Sequence, residues 1–167
     1  LERLELRDTR ISNFSLNQIK GLHQLREVVF SGSTFNDSSP LYFRELPIKS
    51  FVCDCARMGD AGLRSLRHST GIRKLELRGT AITGEGLAAI EELIELETLV
   101  LTGIDLGPKG FEALAKFPKL RRLHLAGELE HPRMEKLSLL TSLEALVLDY
   151  PSLDDRAMPE LAALTRL

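Results

Sequence analysis

The stretch LELRGTAITGEGLAAIEEL, residues 75–93, sets two periodicities back to back. Leu75 and Leu77 alternate with charged residues, the pattern of a half-buried strand. Leu87, Ile90 and Leu93 then recur three apart, which suits a short helix or 3-10 segment with one buried face. Ile82 sits between them as one more apolar residue in a turn. Working outward, the same order returns along the chain. The pattern apolar-x-x-apolar-x-apolar starts at Leu1, Leu25, Ile48, Ile72, Leu96, Leu120 and Leu143, and Leu167 opens an eighth. The steps are 24, 23, 24, 24, 24, 23 and 24 residues, a register that chance does not hold so long. Ile11, Phe35, Met58, Leu106 and Leu153 repeat the turn residue, and Leu129 fills the place in the sixth unit. Leu16-Ile19-Leu22, Phe111-Leu114-Phe117 and Met134-Leu137-Leu140 repeat the spacing of three.

Composition agrees with a folded repeat. Leu accounts for 33 of 167 residues, hydrophobic residues for 43% and charged residues for 28%, so a core is available. The net charge of −2 and the 5% of aromatics argue against a nucleic-acid binder, which needs a basic excess and stacking residues. No apolar run is long enough to cross a membrane, and no signal peptide is visible. Cys53 and Cys55 are too few for a disulfide framework, and two cysteines so close in an extended strand make a poor disulfide. The expectation is a reduced, cytoplasmic protein with Cys53 buried as a small hydrophobe. Two cysteines with no second Cys/His cluster do not make a zinc site.

These residues resemble the leucine-rich repeat family, whose strand motif is L-x-x-L-x-L-x-x-N/C-x-L. Residues 75–93 and LELRDTRIS, residues 4–12, carry the motif best, and the resemblance covers all 167 residues. The family's ninth-position Asn is replaced by Thr9, Ser33, Ala56, Thr80, Ile104 and Pro151, so no continuous side-chain ladder can run there. The Thr-rich version looks like repeats of many bacterial proteins, and the strand–helix pairing resembles the ribonuclease-inhibitor-like superfamily. The resemblance implies an α/β solenoid: a parallel sheet on the concave face, with short helices or 3-10 turns on the convex face. Residues 1–167 are expected to form one domain of about seven repeats, a fragment whose terminal caps lie elsewhere. Gly32, Gly79, Gly103 and Gly127 mark the turn after the strand. Pro40, Pro108 and Pro132 fit first helical turns, and Asp37, Asp60 and Asp154 fit helix caps. Pro159 forces the last helix to start late or stay short.

Positions 3, 5 and 7 of each strand motif should point out of the sheet, which gives the candidate partner-binding residues. Val29, Val52, Val100 and Val147 form an apolar stripe with Glu76 and His124 in the same column. Arg78, Arg122 and Asp149 flank it, and Tyr150 stands at a strand end as an exposed aromatic anchor. The stripe reads equally as the preference of valine for strands. No phosphate-binding loop, nucleophile elbow or H-E-x-x-H motif occurs, and His23, His68, His124 and His131 fall in different units and phases. No catalysis, cofactor or metal is therefore expected. The leading expectation is a non-catalytic module that binds a protein partner on its concave face, by analogy of fold. The alternatives are a spacer that self-associates end to end, and the substrate-recognition region of a larger enzyme.

Overall fold

The computed structural model describes residues 1–32, 34–127, 134 and 136–167. Ser33, Leu129, His131 and Pro132, singled out above, lie outside the described residues. Seven five-residue strands form one parallel sheet in sequence order. They are β1 (Arg3–Arg7), β2 (Glu27–Ser31), β3 (Ser50–Asp54), β4 (Lys74–Arg78), β5 (Thr98–Thr102), β6 (Arg122–Ala126) and β7 (Ala145–Asp149). The register joins residues of equal repeat position, as in Leu75↔Leu99 and Leu77↔Leu101. This is a leucine-rich repeat solenoid.

Strand pairing begins one residue before each strand. Arg26 and Glu27 both donate their backbone N–H to the Glu2 carbonyl, at 2.7 and 3.0 Å, and each later unit repeats the bond. The inward leucines are what hold this register. A one-residue slip would turn them out to solvent. Leu75, Leu77, Leu99 and Leu125 have no exposed surface, and each such burial is worth about 1.5–3 kcal/mol. Leu4 and Leu6 on β1 and Leu146 and Leu148 on β7 are only half-buried, each with a neighbour strand on one side.

The second half of each unit packs as short helical pieces behind the sheet. These are α1 (Asn13–Leu16), α2 (Asp60–Ser65), α3 (Gly84–Ala88), α4 (Gly107–Leu114) and α5 (Met158–Ala162), with 3-10 turns between and beside them. Leu87, Ile90 and Leu93 are fully buried, as are Phe111, Leu114 and Phe117 to within a few percent. Pro40 and Pro108 sit in first turns, and α5 starts late, behind the 3-10 turn Asp155–Ala157. Asp154 caps that turn by accepting from the Arg156 N–H at 2.9 Å.

Asp37 and Asp60 cap differently from the expectation: each serves the next unit. Asp37 accepts from the N–H of Gly59 and Gly62 at 2.7 and 3.0 Å, at the start of α2. Asp60 accepts from the Thr83 N–H and hydroxyl, both at 2.7 Å, and Thr83 is itself the cap of α3. The helices approach closely enough for this because the facing residues lack side chains. A Cβ on Gly86 would stand 2.3 Å from Asp60 Oδ1, and one on Gly84 would stand 2.2 Å from the Leu106 carbonyl oxygen.

The turn leaving the strand needs a left-handed residue in several units. Gly32, Gly79 and Gly103 take it with φ of 104°, 55° and 71°, and Asp8 holds the same place at 49°. The ninth-position hydroxyls form no ladder: Thr9 Oγ1 and Thr80 Oγ1 are buried without a hydrogen-bond partner among the described residues, and Ile104 is simply core. Units two and three share an aromatic cluster. Phe30 lies 4.3, 5.1 and 6.0 Å, ring to ring, from Phe35, Phe43 and Phe51.

The expectation of two free thiols is corrected. Cys53 and Cys55 are both buried and are joined as a disulfide. β3 ends at Asp54, and their Cα atoms lie 5.4 Å apart, inside the usual disulfide range.

Candidate functional site

The helical pieces cover one face of the sheet. The other face carries the side chains at positions 3, 5 and 7, because alternate residues of a strand point to opposite sides. The sheet brings Val29, Val52, Glu76, Val100, His124 and Val147 into one row, each beside the next in register. The row is not a continuous apolar stripe. Val29 and Val100 are only 4% and 8% exposed. Val52 is half-buried, and Val147 alone of the four is 50% exposed.

Charged residues on this face are arranged within strands. On β4, Glu76 lies between Lys74 Nζ at 2.7 Å and Arg78 Nη2 at 3.0 Å. Burial alone would push the Glu76 carboxyl up, but the hydrogen bonds from Lys74 and Arg78 outweigh it and hold it below the usual carboxylate range. The β1 row repeats the arrangement: Glu5 pairs with Arg3 and Arg7, and their hydrogen bonds hold its carboxyl low. Arg3 also reaches Glu27 at 2.8 Å. The β1 group balances Arg3 and Arg7 against Glu5 and Glu27, whereas the β4 row sets two cations on one carboxylate and keeps a single positive charge.

The β6–β7 end of the face is different. Arg122 stands in register with Ala145, His124 with Val147, and Ala126 with Asp149. Arg122 and Asp149 are exposed and make no ion pair or hydrogen bond through their side chains with the described residues. Between them lie Val147 and the half-buried His124, whose Nε2 is buried without a partner among the described residues. This part of the surface therefore has an apolar centre with, among the described residues, an unpaired cation on one side and an unpaired anion on the other.

Tyr150 does not belong to the face, which corrects the expectation of an exposed anchor. It is 7% exposed and packs in the core. It holds the repeat position that glycine fills in the sixth unit, and its ring lies over Gly127, where an added Cβ would meet Tyr150 Cε1 at 3.5 Å. Burial, with the charge of Asp105, pushes its phenol up to about 12. The absent side chain at Gly127 was the signal in the sequence for where this ring goes.

Among the described residues there is no group of three or more His, Cys, Asp or Glu placed to hold a metal ion, and no helix long and apolar enough to cross a membrane.

No protein-family model and no curated protein sequence matches the chain. Solved structures do match. The chain is similar to an internalin from Listeria monocytogenes, with a TM-score of 0.67 at 16% identity; the match covers 100% of this chain and 52% of the internalin. It is also similar to the tropomodulin C-terminal domain of Caenorhabditis elegans, with a TM-score of 0.53 at 15% identity and 93% of each chain covered. At these identities the likeness is one of fold. The chain spans about half the length of the internalin.

Proposed function

We propose that this chain is a non-catalytic module that binds a protein partner on the open face of its sheet. One observation carries the reading: seven strands in register present a face that no described element covers, and most of its charges are paired in rows. Pre-ordered side chains lose little entropy on binding, which favours recognition by a rigid surface. The residues assigned to the surface are Val52, Glu76, Arg78, Val100, Arg122, His124, Val147 and Asp149. Val29 belongs to the same row but is nearly buried, and Tyr150 packs in the core rather than on the face. The Thr-type, ribonuclease-inhibitor-like character of the repeats belongs to the same proposal, since short α-helices follow β3, β4 and β5.

The test is a comparison of captured proteins from the native host. The variant Val52→Thr, Arg78→Gln, Arg122→Gln, Val147→Thr keeps strand propensity but changes the face. A control variant, Glu112→Gln with Lys116→Gln, changes the helix side. A partner retained by the wild type and the control but lost by the face variant, with circular dichroism unchanged, supports the proposal. A partner set identical for all three overturns it.

A further inference from the structure

We infer that the β6–β7 part of the open face takes an extended segment whose alternate side chains read acidic, small apolar, basic. The inference rests on the open face being the binding surface. Elsewhere on that face most charged side chains already have partners: Arg3, Glu5, Arg7 and Glu27 in one group, Lys74, Glu76 and Arg78 in another. Arg122 and Asp149 have none among the described residues, and they lie at opposite ends of one short path along the strands. Arg122 is at motif position 3 of β6, and Asp149 is at position 7 of β7. Four residues of strand and one strand spacing separate them, about 14 Å.

An extended segment has the same rise. Its residues i, i+2 and i+4 project to one side and span about 13 Å. Laid along the strands, residue i places an acidic group against Arg122, i+2 rests on Val147 beside the His124 ring, and i+4 places a basic group against Asp149. A small apolar residue suits the centre, because Ala126 and Ala145 flank it and leave no wall of long side chains. Alignment fits either chain direction, since only the order of charge against Arg122 and Asp149 matters.

The experiment uses labelled peptides of about twelve residues carrying at their centre Glu-Thr-Val-Thr-Lys, Glu-Thr-Val-Thr-Glu or Lys-Thr-Val-Thr-Lys, with fluorescence anisotropy as the readout. The wild type should prefer the mixed peptide by about fivefold over either like-charged one, the factor expected when one exposed ion pair becomes a repulsion. Asp149→Lys should shift the preference to the doubly acidic peptide, and Arg122→Glu to the doubly basic one. Both positions are exposed on the sheet surface, so neither change disturbs the core. Equal affinities across peptides, or preferences that the two variants leave unmoved, overturn the inference. If that happens while the face variant above still loses its partner, the binding surface stands and only the extended-segment reading fails.

Discussion

Asp8 and Tyr150 occupy the same repeat position at opposite ends of the sheet, and each departs from the glycine found there in other units. Asp8 takes φ of 49°, a conformation that costs a residue with a Cβ up to about 1–2 kcal/mol. Part of any gain from Asp8→Gly is lost to the freer unfolded chain. The variant should still raise stability by about 0.5 kcal/mol, read from urea unfolding midpoints. Tyr150 solves the position by folding inward. Its phenol is held up to about 12 against an ordinary value near 10, so the folded state binds that proton more tightly than the unfolded state. The resulting stability is complete below pH 10 and is lost as pH rises through 12, a loss of about 2–3 kcal/mol. Absorbance titration should show a late phenolate component near pH 12 that Tyr150→Phe removes. The sequence shows both residues at the glycine position but not their outcomes. A lone tyrosine after a strand looks exposed unless the empty space over Gly127 is counted. The cysteines were misread because their closeness along the strand was counted against a bond, although the Cα atoms of the pair fall within bonding range where β3 ends.

Strands and helices were unequally legible. Every strand follows from two inward leucine-like residues, because a slip of one would expose them, and the observed registers keep to that phase. Helical pieces of four to eight residues carry less information, since apolar residues three apart fit α and 3-10 turns alike. The contacts between units were not legible at all. Asp60 looks like the cap of its own helix, whereas it holds the start of the next one through Thr83. That contact depends on Gly86, which in sequence reads only as turn punctuation. Asp60→Ala should therefore cost about 1–2 kcal/mol, the usual loss for a helix cap. Gly84→Ala should cost more, about 3 kcal/mol, because its methyl would meet backbone, the Leu106 carbonyl, rather than a movable side chain. Thermal unfolding of the two variants side by side checks the order.

Across the whole stack, each unit is stabilised by its neighbours, so the cost of a truncation depends on where it falls. Leu77 is fully buried in the middle strand, whereas Leu148 on β7 is half-buried with a strand on one side only. Leu77→Ala should cost about 3–4 kcal/mol and Leu148→Ala about 1–2 kcal/mol, measured by denaturant unfolding. The candidate surface was legible in outline, since positions 3, 5 and 7 do line the open face. Its fine structure was not. Sequence shows a column of valines but not that Val29 and Val100 are nearly buried, nor that Arg122 and Asp149 have no partner among the described residues.

The aromatic cluster makes this stack uneven along its length. Phe30, Phe35, Phe43 and Phe51 tie the second and third units into a block with ring-to-ring contacts that the other units lack among the described residues. Pulled by its two ends, such a chain should not give way uniformly. The units beyond the block should peel off in steps of one repeat, and the aromatic block should yield last, as the anchor against which the rest of the molecule works as a spring.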